Sequence, residues 1–167
     1  MKTFLDLYTQ TRIGGMPTNM LAYMTLLLVC WAYALWRGGA PERIGATILA
    51  IGSFLTAAAI DGGRGSFRGV EVGVVVIDIL CSLAFVALAL RADRFWTLWI
   101  AALQVGGTAG HAVKFIDPHI VPRAYAFMLA AWAYPMLVLL FMGTWRHRRR
   151  LARFGADKSW SPVTALA

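Results

Sequence analysis

Five long hydrophobic runs, separated by short charged or glycine- and proline-bearing breaks, constrain this chain more than any other feature. They fall at about residues 19–36, 44–60, 70–90, 95–116 and 123–145, each about 17 to 23 residues long. A helix that crosses the hydrocarbon core needs ~20 apolar residues, whereas a barrel strand needs ~10 in alternation. The runs therefore predict an all-α fold, an integral membrane bundle of about five transmembrane helices. Hydrophobic residues make up 59% of the chain, above the roughly 45 to 50% of soluble domains. Residues 18–145 are read as the bundle, 1–17 as an interfacial N-terminal segment and 146–167 as a basic tail. Phe4, Leu5 and Tyr8 share one helical face, which predicts a short amphipathic helix lying in the interface.

Charge orients the spans, because basic residues in short loops stay on the cytoplasmic side. With the N-terminus outside, Arg37, Arg43, Arg91, Arg94 and the six basic residues from Arg146 to Lys158 lie inside. Lys2, Arg12, Arg64, Arg68, Lys114 and Arg123 lie outside. The strongest signal is Arg146-His-Arg-Arg-Arg150 beside Trp145. Cleavage after Ala32-Tyr-Ala34 would reverse this arrangement, so the first run is kept as a span, and Val29 before Cys30 does not suit lipidation. The net charge of +8 sits at span ends, where it meets anionic headgroups, and predicts the lipid bilayer as partner rather than nucleic acid. The expected location is the inner (plasma) membrane of a bacterium.

Inside the spans, an ionisable group costs about 2.5 to 3.5 kcal/mol by insertion scales unless paired or hydrated. In the third run, Glu71, Asp78 and Ser82 are seven and four apart and share a face; in the fourth, Gln104, Thr108, His111 and Lys114 recur at four, three and three. The two runs are antiparallel, so Asp78 and His111 reach similar depth, with Glu71 and Lys114 as a rim. This constellation is either a structural clamp between two helices or a proton- or ligand-binding site. Gly106 and Gly110 form a GxxxG face suited to close helix packing. Pro135 withdraws a backbone donor from Ala131 and predicts a kink in the fifth helix. Trp31, Trp36, Trp96, Trp99, Trp132 and Trp145 read as interfacial anchors.

No cofactor is expected. Only His111 of the three histidines lies within a span, so two-helix haem ligation has no partner. His111 and His119 with Asp117 or Asp61 carry little metal specificity. Cys30 and Cys81 read as small apolar side chains rather than a disulfide. The chain has no CxxC, HExxH, P-loop, Rossmann or GxSxG motif, the signatures that would name an enzyme.

The stretches Ala32-Tyr-Ala-Leu-Trp-Arg-Gly-Gly-Ala-Pro-Glu-Arg43 and Asp117-Pro-His-Ile-Val-Pro-Arg-Ala-Tyr125, with Trp132-Ala-Tyr-Pro135 and Gly143-Thr-Trp145, resemble small uncharacterised polytopic inner-membrane proteins of high-GC alphaproteobacteria, sphingomonads among them. The resemblance covers most of the chain and implies no activity, catalytic residue or binding residue. Two functions are expected from the residues. One is a non-catalytic accessory or structural component of a membrane complex, with a membrane-protein partner or a second copy of itself. The other is a small oligomeric transporter, channel or ligand-binding sensor that uses the Asp78 and His111 face.

Overall fold

The computed structural model describes residues 12–13, 16–60, 72–116 and 122–160, with side chains at 20–59, 72–112, 116 and 131–160. The predicted N-terminal amphipathic helix and Glu71 lie outside these residues, as does the side chain of Lys114. Five helices carry the fold: α1 (Thr18–Arg37), α2 (Ala40–Ile60), α3 (Val72–Arg91), α4 (Phe95–Ile116) and α5 (Pro122–Phe154). Before α1, Arg12–Ile13 pairs antiparallel with Met16–Pro17 over two residues each. Each helix packs on its neighbour in sequence, and α5 returns against α1 and α2 to close the bundle. Among the described residues, three helices, α1, α2 and α3, are long and apolar enough to cross a membrane.

Local chemistry sets the helix ends. Gly38 and Gly39 break α1 from α2, and Glu42, three residues into α2, turns back so that Oε2 accepts the Gly39 N–H at 3.1 Å. This is one half of a capping box, with Pro41 placed where its missing N–H costs nothing. The fifth helix runs through Pro135 and continues past Trp145 to Phe154. The end of the hydrophobic run is thus not the end of the helix. Arginine, leucine and alanine are good helix formers, and the first breaker is Gly155, whose φ of 71° and N–H bond to Leu151 O (2.9 Å) cap the helix.

The apolar core gathers toward the end that carries the α1–α2 and α3–α4 turns. Leu27 and Ala34 of α1, Leu49 of α2, Phe85 and Leu88 of α3, Ile100 of α4 and Leu137 and Leu140 of α5 meet there. Trp96 is the wedge. A Cβ on Gly45 would stand 2.9 Å from its ring, and one on Gly143 2.7 Å from it, so α2 and α5 close on its two sides only because both positions lack a side chain. Trp96 is therefore buried rather than an interfacial anchor, whereas Trp36, Trp99 and Trp145 are exposed. On the GxxxG face the contact is looser: Gly106 and Gly107 meet Trp132 of α5 at 4.0 and 3.6 Å, ordinary van der Waals distances.

The outer surface of the bundle is apolar and part of its interior is not. Val29, Leu55, Leu80, Leu83 and Leu90 are exposed, while Glu42, Arg94, Thr97, Gln104, His111, Thr144 and His147 are buried. Water would favour the reverse.

Candidate functional site

One of two polar clusters in the interior lies on the α3–α4 hairpin, far from its turn. Asp78 of α3 receives α4 with both carboxylate oxygens: Oδ2 lies 2.8 Å from His111 Nε2, and Oδ1 accepts from Gln104 Nε2 at 3.3 Å. One turn along, Ser82 Oγ is 2.8 Å from Thr108 Oγ1, which is 2.9 Å from the Gln104 carbonyl and 3.3 Å from the Asp78 carbonyl. Thr108 has a single hydroxyl proton. The shorter contact takes it, so Thr108 donates to Gln104 O while Ser82 donates to Thr108. The structure thus brings together Asp78, Ser82, Gln104, Thr108 and His111, the five residues of the polar faces read from the sequence whose side chains are described. His111 is sealed, its side chain 3% exposed, while that of Asp78 is 25% exposed.

Other spans add hydroxyls to this region. Tyr23 of α1 is hydrogen-bonded to Ser53 of α2 at 2.9 Å and stands edge-on to Tyr134 of α5, ring centroids 5.6 Å apart. These three residues carry no charge and have no special spacing, so the sequence reading passed over them.

The second polar cluster sits at the turn end and was not anticipated. Glu42 is fully buried; beyond capping α2, its Oε1 accepts from Trp96 Nε1 at 3.2 Å and lies 3.3 Å from Arg94 Nε. Arg94 Nε makes no hydrogen bond among the described residues, so that contact is charge attraction without directed geometry. The terminal nitrogens of Arg94 form a bidentate pair with Asp157, at 3.1 and 2.7 Å. Asp157 belongs to the chain beyond α5, which folds back after Gly155. Its carboxylate also meets His147 Nδ1 at 2.5 Å and Arg150 Nε at 2.9 Å. The Asp93 N–H to Ser159 O bond, 3.3 Å, ties the same segment to the α3–α4 turn. Burial raises the Asp157 pKa, but the hydrogen bonds from His147 and Arg150 and the Arg94 charge outweigh it, and the net value lies below the ordinary 3.8.

These groups are arranged for ion pairing rather than for metal binding. Among the described residues, no three or more of His, Cys, Asp and Glu converge as a metal would need, and Cys30 and Cys81 are free thiols. His119 and Asp117 lie outside the described residues. A groove of about 500 Å³ runs between α2 and α3 and is almost wholly apolar, from Ile44 and Ile48 to Leu55 on one side and Ile77 to Ala84 on the other. No family model, curated protein or solved structure matches this chain.

Proposed function

We propose that the chain is a five-span protein of a bacterial inner (plasma) membrane, with its N-terminus outside and its C-terminus in the cytoplasm, serving as a non-catalytic accessory or structural component of a membrane complex. The observation that carries this reading is how the buried polar groups are used. Both carboxylate oxygens of Asp78 are held by the neighbouring helix, and the carboxylates of Glu42 and Asp157 are engaged by Arg94, Trp96, His147 and Arg150. In hydrocarbon such contacts join helices that lipid would otherwise separate. The apolar exterior is suited to lipid and to the helices of a partner, and the exposed arginines of α5 to the cytoplasmic headgroups.

One observation favours the second reading. The Asp78 side chain keeps a quarter of its surface open while His111 behind it is sealed, which suits a carboxylate that takes a proton or cation from outside and shares it with an imidazole. Purification in mild detergent, with identification of the bound proteins and lipids, tests the choice. A stoichiometric membrane-protein partner is the expected result; a lone homo-oligomer that retains a small polar molecule would favour the transporter or sensor.

A further inference from the structure

We infer that the groove between α2 and α3 binds one acyl chain of an anionic phospholipid of the cytoplasmic leaflet, with the phosphate held by Arg43 and Arg91. The inference rests on the membrane reading above and adds a ligand to it. The groove begins at Arg43 and reaches Leu55, about 18 Å along α2 at 1.5 Å per residue. One leaflet of hydrocarbon is roughly 15 Å thick. The groove therefore spans the cytoplasmic leaflet and ends near the midplane, the reach of a single chain.

Its polar groups are confined to the end where a headgroup would sit. Thr47 is the other polar side chain of the lining, and its hydroxyl is occupied by the Arg43 carbonyl (2.9 Å) and the Trp31 indole (3.5 Å). Arg43 is exposed and held in place through Nε, which donates to Gly38 O at 3.0 Å. Its two terminal nitrogens have no partner among the described residues and form a fork suited to phosphate oxygens. Arg91, also exposed, follows Ala84 of the lining by seven residues, two turns along the same face of α3. Gly52 deepens the middle of the groove: a Cβ there would stand 2.6 Å from Cys81 Sγ, so α2 and α3 touch at the floor. A second copy of the chain would bring apolar helix to the groove and, at the turn end, among the described residues only the exposed Asp93 carboxylate to meet two cations, whereas an anionic headgroup brings its phosphate directly above the acyl chain.

The test is native mass spectrometry of the full chain in mild detergent, titrated with phosphatidylglycerol or phosphatidylcholine of identical acyl chains. Phosphatidylglycerol should bind at about one molecule per chain and more tightly than phosphatidylcholine. Arg43→Gln and Arg91→Gln should each weaken that binding roughly fivefold, as expected of one cation at a headgroup, and weaken phosphatidylcholine less, since the choline cation already offsets that lipid's phosphate. Ala84→Trp, which fills the groove, should remove the bound lipid; the two arginine variants decide the matter if it fails to fold. Equal affinity for the two lipids, or arginine variants that match the parent, would overturn the inference. So would an Ala84→Trp protein that keeps its lipid but loses a dimer, since the groove would then belong to a second copy. Release of the parent from membranes by alkaline carbonate would instead overturn the membrane reading itself.

Discussion

Replacing Asp157 by alanine is expected to destabilise the folded chain by about 3 to 5 kcal/mol, the cost of breaking a buried ion pair from one side, although Asp157 lies in the tail beyond the last apolar run. Without it, the bidentate partner of Arg94 is gone and His147 loses its carboxylate, while both remain buried. Arg150 is about a third exposed and recovers part of its hydration, which places the cost toward the lower end of that range. Thermal unfolding in mild detergent reads the loss, and trypsin should cut at Arg150 and Arg153 faster once the tail is free. Asp157→Asn, which keeps hydrogen bonding without charge, should fall between the parent and alanine. An alanine variant within about 0.5 kcal/mol of the parent, the usual range for surface changes, would mean that the tail merely rests on the bundle.

The pH dependence of the same contact has a definite sign. The Asp157 pKa is lowered in the folded chain from its ordinary 3.8, so its contribution is complete above that value. It is lost as pH falls through the lowered one. Tail docking should therefore persist through neutral and mildly acidic pH and weaken only in stronger acid, a loss that Asp157→Asn should not show.

Asp78 is the second large effect, and it separates a clamp from a site. Asp78→Leu takes the carboxylate from the buried His111 and the acceptor from the Gln104 amide, a loss of roughly 1 to 3 kcal/mol for a buried polar group whose hydrogen bond is removed. Asp78→Asn can still accept from one neighbour and should keep most of the stability. If the network is a clamp, a deletion strain should be complemented by the Asn variant and poorly by Leu, in step with protein levels. If Asp78 instead carries a proton or cation, Asn should fold normally and fail to complement. Full complementation by both variants at normal protein levels would remove Asp78 from either role.

The Asp78 network was legible in the sequence for a physical reason. Polar residues are costly in a span, so each one stands out, and helical spacing on an antiparallel hairpin fixes both face and depth. Asp78 and His111 could be set at similar depth by counting inward from Glu71 and Asp117 at the outer ends of the two runs, and Gln104 and Thr108 share the face of His111. The turn-end cluster could not be reached by such counting. Glu42, Arg94, His147 and Asp157 lie where charge is ordinary: Arg94 was read as a signal of orientation, His147 and Asp157 as tail, and Glu42 was given no role. Glu42 and Arg94 are separated by a whole helical hairpin, and no spacing rule links either to a tail that folds back after Gly155. Trp96 was misread for the same reason: a tryptophan near a span end is commonly an anchor, and only the bare backbones of Gly45 and Gly143 make room to bury it. The helical extension past Trp145 was obscured because hydrophobicity marks where lipid ends, while helix propensity and Gly155 mark where the helix ends.

Sided labelling of single cysteines tests most directly the central claim, a five-span bundle with its two ends on opposite faces of the membrane. With Cys30 and Cys81 replaced by alanine, Ser66→Cys reports on the break between the second and third runs and Ala152→Cys on the exposed end of α5. A membrane-impermeant maleimide applied to intact spheroplasts should label Ser66→Cys at once, and Ala152→Cys only after permeabilisation. Labelling of both from the same side, or of Ala152→Cys alone before permeabilisation, would contradict the topology and with it the cytoplasmic position of the Asp157 latch.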